Sequence, residues 1–310
     1  MTGCSGRGRT WVGAFVGLVA GVALGACVWL PQRSGPASDG AWAVRRIASA
    51  ELGESSGLVA SPAHPGVFWT HHDSGDSPRL FAIDADGALL GAFPVAGATH
   101  RDWEDIAADG AGHLYIGDIG NNANDRRDLV VYRVSEPDPH TPGRPVRVDR
   151  ALRFRYADQV EFPAVERRNF DAEALFWMDD ALYLFTKHRS DTETTLYRLP
   201  VTEGVGERAL EPVARVALPA RGRMHEVTGA DLQPVPRGLL ALLTYGAIHL
   251  FERDASTGLP FRPIHRIALD VWRTGQVESI AWDGDALLFG NEARALFRIP
   301  DPLSIERYPP

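Results

Sequence analysis

Five segments of the chain, recurring about every fifty residues, carry an oxygen-bearing side chain at one matched position. This position lies two residues before the apolar residue on which the segments align. The five side chains are Ser56, Glu104, Glu173, Thr228 and Glu278. Carboxylates and hydroxyl groups without cysteine are the ligands that Ca²⁺ prefers. If the fold brings the segments together, we expect these five residues to hold a calcium ion.

A second matched position, two residues earlier in each segment, adds four acids and an amide. Its side chains are Glu54, Asp102, Asp171, Glu226 and Gln276. Carboxylates held close together in a partly desolvated site repel each other, so positive charge must compensate them. A bound cation would do this. Arginines and backbone amides of neighbouring segments would also do it, and the acids would then be structural.

Polar residues also recur after the second apolar run of each segment. The strongest candidates among them are His72, Asp73, Asp118, Lys187 and His188, and Lys187 is the only lysine of the chain. A lysine and histidines that face an acid-held cation would suit an anionic group such as a phosphate. Asp73 or Asp118 could then position or deprotonate a water molecule. We therefore predict these five residues as catalytic.

The elements that must position these side chains are β-strands. No stretch after residue 40 sustains a 3.6-residue apolar period, whereas short alternating runs separated by Gly, Pro and Asp-Gly recur throughout. The repeat of about fifty residues occurs five times, and four of its copies contain four apolar runs. The fifth copy lacks its last run, which residues 41–48 can supply from the N-terminus.

This pattern predicts an all-β fold, a five-bladed β-propeller over residues 41–310 whose last blade is closed by the N-terminal strand. A β-sandwich is the alternative, but it explains neither the repeat nor the borrowed strand. In a propeller the first strand of each blade lines the central channel. The loop between the second and third strands lies at the same mouth, so the two groups of polar residues should meet there.

The ring of Ser56, Glu104, Glu173, Thr228 and Glu278 resembles that of the calcium-activated nucleotidase (apyrase) family. That family is a five-bladed propeller with Ca²⁺ on its pseudo-fivefold axis, held by Ser and Glu side chains, and Thr228 replaces a Ser here. The resemblance implies the fold and the Ca²⁺ site. The family's nucleotide-binding motifs are not recognisable in this sequence.

The N-terminal segment predicts export. Residues 11–30 are uniformly apolar or glycine and follow Arg7 and Arg9, which favours a cytoplasmic N-terminus and an extracytoplasmic remainder. Residues 1–30 are therefore a signal peptide, a lipoprotein signal or a membrane anchor, and residues 31–40 form a flexible linker. The sequence before Cys27 resembles a bacterial lipobox, so anchoring by a lipidated Cys27 and anchoring by a transmembrane helix both stay open.

The composition of the chain limits the classes of partner and of metal ligand that we expect. The chain has 310 residues and a formal net charge of −8, so a nucleic acid is not expected as a partner. Both cysteines precede residue 30, which leaves oxygen and imidazole ligands for any metal in the folded part. We expect a monomer in the cell envelope that handles a small anionic ligand by phosphoester or phosphoanhydride hydrolysis. The alternative is a non-catalytic propeller that binds a glycan or a protein and has a structural metal.

Overall fold

The computed structural model describes residues 42–201, 206–218, 220–254, 258–259 and 261–305. The predicted export signal or anchor at residues 1–30 and the linker at residues 31–40 lie outside this part of the chain. No helix within the described residues is long and apolar enough to cross a membrane.

Strands dominate the described residues, and helix is confined to α1 (Val271–Thr274) and a 3₁₀ turn at Gly222–His225. The first strands are β1 (Ala43–Arg46), β2 (Ser55–Ala60), β3 (Val67–His72), β4 (Arg79–Asp84), β5 (Leu89–Ala96), β6 (Trp103–Ala108), β7 (His113–Asp118), β8 (Val130–Ser135), β9 (Val146–Tyr156) and β10 (Asp171–Met178). They are followed by β11 (Ala181–Lys187), β12 (Glu193–Pro200), β13 (Arg208–Leu210), β14 (Pro212–Ala217), β15 (Val227–Leu232), β16 (Leu240–Thr244), β17 (Ala247–Glu252), β18 (Arg262–Ala268), β19 (Val277–Asp283), β20 (Ala286–Asn291) and β21 (Ala295–Ile299).

These strands pair into antiparallel groups of four, as the sequence repeat predicts. The groups are β2 to β5, β6 to β9, β10 with β11, β12 and β14, β15 to β18, and β19 to β21 with β1. We call them the first to fifth sheets. The first strand of each sheet contacts the first strand of the next, and β19 contacts β2, so the sheets close into a ring. The prediction of an all-β propeller is confirmed.

The N-terminal strand closes this ring. β1 pairs antiparallel with β21, with Ala43 opposite Arg298 and Arg46 opposite Ala295. The fifth sheet therefore combines the end of the described chain with its beginning, and β1 covers the edge that β21 would otherwise present.

Apolar side chains fill the spaces between neighbouring sheets. One buried cluster lies at each junction; the cluster between the first and second sheets, for example, includes Trp69, Phe93 and Trp103. Two short parallel pairings add links that the repeat did not predict, because β9 pairs with both β5 and β13. The packing fixes how the first strands face one another, and thereby the geometry of the channel.

Candidate functional site

A cavity of about 140 Å³ opens at the mouth where the first strands begin. Polar and charged side chains line it, and Tyr245 is the one aromatic ring among them. The lining residues are Ser56, Asp73, Glu104, Asn122, Glu173, Lys187, Arg189, Arg223, Tyr245, Gln276, Glu278 and Glu292. The first strands and the loops after the second strands do meet at one mouth.

β-Bulges hold the predicted ring residues at this mouth. The pairing of each first strand with its second strand shifts register at the ring position, and the bulged residues are Glu104, Glu173, Thr228 and Glu278. In the first sheet the shift falls at Gly57, the residue after Ser56. A bulge breaks the alternation of side chains along a strand and re-aims one of them. Polar side chains are thereby accommodated in strands whose other residues pack between sheets.

Four of the five predicted ring residues line the cavity. Ser56, Glu104, Glu173 and Glu278 are buried there, and the Ser56 hydroxyl donates a hydrogen bond to the Glu104 carbonyl oxygen at 2.7 Å. Thr228 is 1% exposed but does not line the cavity, and its Oγ1 has no hydrogen-bond partner among the described residues. The ring is therefore not symmetric.

A buried lysine compensates one side of the ring. Lys187 Nζ lies 2.8 Å from Glu173 Oε2 and donates to the Tyr245 hydroxyl at 3.3 Å. The Tyr245 hydroxyl in turn donates to Glu278 Oε1 at 3.0 Å. Burial disfavours the charged amine, but the adjacent Glu173 and Glu278 outweigh it and raise the pKa of Lys187 well above its usual range. Lys187 is thus a fixed positive charge inside the ring.

Arginines compensate other acids of the mouth. Arg189 is paired with Asp171, which also accepts a hydrogen bond from the Asn121 amide. Arg223 pairs with Glu226 through three hydrogen bonds of 2.8–3.0 Å. The structural role that the sequence left open for these acids therefore applies to Asp171 and Glu226.

Three carboxyl groups have no such paired cation. Asp73, Asp102 and Glu104 each offer a carboxylate oxygen within 4.8 Å of those of the other two. In the described part of the chain, none of the three side chains has a hydrogen bond or an ion pair. Burial and the carboxylates of Asp102 and Glu278 raise the pKa of Asp73 to about 7. Burial and Glu173 raise the pKa of Glu104 well above its usual range.

Glycine at position 120 makes room for two of these acids. A Cβ atom added there would overlap Glu104 Oε1 and Asp102 Oδ2. The Gly120 amide also donates to the Asp102 carbonyl oxygen at 3.1 Å, which fixes the loop against the acids. From the sequence alone, Gly120 is interpreted as an ordinary turn residue. Only the structure shows that its backbone lies against the carboxylates of Asp102 and Glu104.

Among the five residues predicted as catalytic, Asp73 and Lys187 line the cavity and the other three do not. Asp118 is buried in an ion pair with Arg126 at 2.9 Å and accepts from the Asp102 amide at 3.2 Å. His188 is held by Asp191 at 2.6 Å and Thr195 at 3.0 Å.

His72 contacts the Glu51 carbonyl oxygen and lies 3.9 Å from Asp76. Spacing placed these side chains at the right end of the fold, but it does not determine the direction in which each one points.

Sequence reasoning assigned no role to Arg189, Tyr245 or Glu292, which all line the cavity. Each follows the second strand of its sheet at this mouth, and this shared position was the signal available. Gln276 connects two acids of the rim, because its amide nitrogen donates to Glu278 at 2.9 Å and to Glu292 at 2.6 Å.

The residues around the cavity fit a hard cation. The carboxylates of Asp73, Asp102 and Glu104 are oxygen donors without partners, and the buried Glu173 Oε1 also has none among the described residues. An all-oxygen donor set of this kind suits Ca²⁺ better than Zn²⁺. Arg189, Arg223 and Asn122 also line the cavity and could contact an anionic group that enters the mouth.

No protein-family model matches the chain, and no curated protein matches it. Solved structures are similar to it. One is a virginiamycin B lyase from Staphylococcus aureus, with 12% identity, a TM-score of 0.38 and coverage of 79% of this chain and 65% of the lyase. The chain thus spans slightly less than two thirds of that lyase.

A luciferin-regenerating enzyme has 12% identity, a TM-score of 0.41 and coverage of 86% of this chain and 97% of the enzyme. The calcium-binding protein regucalcin from Agrobacterium tumefaciens has 13% identity, a TM-score of 0.40 and coverage of 86% and 97%. None of these three structures is a nucleotidase. Likeness at this level says nothing of activity or ligand, so the function is argued from the site alone.

Proposed function

We propose that this protein is a membrane-tethered, extracytoplasmic β-propeller that binds Ca²⁺ in its acidic cavity and hydrolyses a phosphoester or phosphoanhydride at the same mouth. The observation that carries the proposal is the cluster of Asp73, Asp102 and Glu104, whose carboxylates have no paired cation among the described residues, at a mouth that two arginines also line. The resemblance of the ring to that of the calcium-activated nucleotidases supports it. The apolar segment at residues 11–30 supports the tether.

The size of the cavity favours a small polar group. A volume of about 140 Å³ is well below the several hundred Å³ of a typical organic-ligand pocket. A ligand would therefore insert one compact group, such as a phosphate, and leave the rest of its structure outside. Arg223 is suited to contact that remaining part, because its side chain is 63% exposed while its guanidinium is held by Glu226.

The residues have distinct proposed roles. Asp73 lines the cavity, where its carboxylate would help to hold the ion and would orient the attacking water molecule. Lys187 stays protonated and supplies a fixed charge, so it does not serve as a nucleophile. Bound Ca²⁺ would supply Lewis-acid stabilisation of the phosphoryl oxygens. Asp118, His72 and His188 are proposed to hold the loops that carry these groups.

A thermal melt of the full chain in chelator and in Ca²⁺, followed by a phosphohydrolase screen, tests the proposal. Ligand at 100 times its dissociation constant stabilises a protein by about 2.7 kcal/mol, so the melting temperature should rise by several degrees. The screen should then show Ca²⁺-dependent turnover. Asp73→Asn should lower turnover at least 100-fold, because a carboxylate positioned on the reacting water typically contributes about 10²–10⁴-fold. The exposed control Asp86→Asn should leave turnover unchanged.

The outcomes separate the two functions that the sequence left open. A Ca²⁺-dependent rise in melting temperature without turnover on any phosphate ester would favour the non-catalytic alternative, a propeller with a structural metal that binds a glycan or protein. No Ca²⁺ effect at all would contradict both.

A further inference from the structure

We propose that the cation does not sit on the symmetric ring of Ser56, Glu104, Glu173, Thr228 and Glu278, but to one side of it, between the first and second sheets, with Asp73, Asp102 and Glu104 as its carboxylate ligands. This inference rests on the proposed Ca²⁺ binding and specifies its site. Asp73 follows β3 of the first sheet, and Asp102 and Glu104 lie at the start of β6 of the second.

The first argument is geometric. Ca²⁺ binds oxygen at about 2.3–2.6 Å, so two ligand atoms on one ion are at most about 5 Å apart. One oxygen from each of Asp73, Asp102 and Glu104 meets this limit, because the three lie within 4.8 Å of one another. These atoms can bind one ion without a large rearrangement of the backbone.

The second argument is an unpartnered buried atom beside the cluster. Glu173 is 3% exposed, and its Oε1 has no hydrogen-bond partner among the described residues although its Oε2 is paired with Lys187. Glu173 and Glu104 both line the cavity and offer oxygens within 4.8 Å of each other. An unpaired buried carboxylate oxygen is costly unless a ligand or a proton satisfies it, so Glu173 Oε1 is the fourth candidate ligand.

Gly120 supplies independent evidence that the loop of the second sheet makes room for two of these acids. A Cβ atom at this position would overlap both Glu104 Oε1 and Asp102 Oδ2. The backbone of the second sheet's loop therefore approaches the two carboxylates as closely as it can. Any larger residue would push them apart.

The third argument concerns the other half of the ring. Lys187 and Tyr245 lie between Glu173 and Glu278, and Gln276 also donates to Glu278. A divalent ion placed there would face the Lys187 ammonium and would have to displace these hydrogen bonds. On the side of the third to fifth sheets, the Lys187 ammonium group therefore supplies the positive charge that a metal ion would otherwise supply.

The test is calorimetric titration of the chelator-treated full chain with CaCl₂. Asp102→Asn and Asp73→Asn should weaken Ca²⁺ binding by about 100-fold or more, because each removes a direct ligand. Thr228→Val and Glu278→Gln should stay within about tenfold of the natural chain, at or below the about 10–100-fold that loss of an outer-shell group typically costs, because neither residue is a proposed ligand. Melts in chelator establish that each variant is folded before it is titrated.

A glycine pair provides a matched control. Gly120→Ala should weaken Ca²⁺ binding about as much as Asp102→Asn. Gly53→Ala should leave it unchanged, because a Cβ there has its nearest neighbour at 3.8 Å.

The inference is overturned if Thr228→Val or Glu278→Gln weakens binding as much as Asp102→Asn does, or if Asp73→Asn and Asp102→Asn bind like the natural chain. In both cases Ca²⁺ binding itself, and with it the proposed function, would stand. If the natural chain binds no Ca²⁺, the inference and the proposed function are both wrong.

Discussion

At the scale of single residues, Lys187 determines how the acidic mouth is stabilised. It is the only lysine of a chain with 32 basic residues, and it is 4% exposed. A buried charge is tolerated when it is paired, and removing one partner of such a pair typically costs about 3–5 kcal/mol. The sequence singled out this residue by its rarity, but the ion pair with Glu173 could not be read from spacing.

Lys187→Met should therefore lower the free energy of unfolding by about 3–5 kcal/mol at pH 8, because Glu173 and Glu278 lose their nearest positive charge. The deficit should shrink as the pH falls. Burial raises the pKa of Glu173 in the native state, and loss of Lys187 raises it further. Between the ordinary pKa of a glutamate and this raised pKa, the native state keeps a proton on Glu173 that the unfolded chain has released. Stability then increases toward lower pH and is lost as the pH rises through the native pKa.

Urea unfolding of the folded variant at several pH values between 5 and 8 measures this effect. Arg45→Met is the matched control, since it removes an exposed pair with Asp86 and should cost at most about 1 kcal/mol at any of these pH values. An equal loss at pH 5 and pH 8 for Lys187→Met would show that packing, not charge, explains the role of Lys187.

At the scale of elements, the first strands were predictable and their bulges were not. The repeat predicted four strands in each complete copy and a strand within residues 41–48, and the structure has these strands. Aligned residues also revealed the ring positions. The register shift at Glu104, Glu173, Thr228 and Glu278 leaves no mark in the apolar pattern, because a bulge depends on how two strands pair.

A buried carboxylate connects three of the first strands. Asp105 on β6 accepts hydrogen bonds from its neighbour Ile106 at 2.8 Å, from Leu175 on β10 at 2.8 Å and from Ala230 on β15 at 3.3 Å. The side chain is fully buried. Asp105 therefore links strands of the second, third and fourth sheets across the channel, and it satisfies amides that would otherwise lack an acceptor.

Asp105→Ala should destabilise the protein by about 3 kcal/mol or more, because at least two buried amides lose their acceptor at about 1–3 kcal/mol each. Asp105→Asn, which keeps one acceptor oxygen, should cost less. Chemical denaturation measures both. Asp86→Ala, at an exposed turn, serves as the control and should stay within about 1 kcal/mol. If Asp105→Ala is no less stable than this control, the hydrogen bonds across the channel do not hold the strands together.

At the scale of the whole molecule, the repeat made the fold predictable. The directions of the loop side chains at the site were not predictable from the repeat. Four copies with four apolar runs and a fifth that lacks its last run predict a closed ring, because the incomplete copy requires a strand from elsewhere. The direction of a loop side chain depends on contacts distant in sequence, such as that between Asp118 and Arg126 or between His188 and Asp191. Asp73, Glu104 and Glu173 could be identified as site residues from the repeat. The partner that compensates each neighbouring acid could not.

Ring closure by β1 should contribute measurably to stability. A chain that begins at Ile47 lacks the strand that pairs with β21, and it also lacks Trp42, whose ring packs edge-on against Phe289 at 5.8 Å. Trp42 is partly buried against the cluster between the fourth and fifth sheets. Loss of its contacts together with the pairing of β1 should cost about 3 kcal/mol, which lowers the melting temperature of a domain of this size by roughly 10 °C. The open edge should also promote association through strand pairing.

Thermal melts and size-exclusion chromatography at two protein concentrations test the contribution of β1. A chain that begins at residue 41 is the control, because it keeps β1 and removes only residues that precede it. It should melt within about 2 °C of the full chain and elute as a monomer. If the chain beginning at Ile47 melts with the control and stays monomeric, the ring is closed by contacts between the apolar clusters alone, and the N-terminal strand only covers its edge.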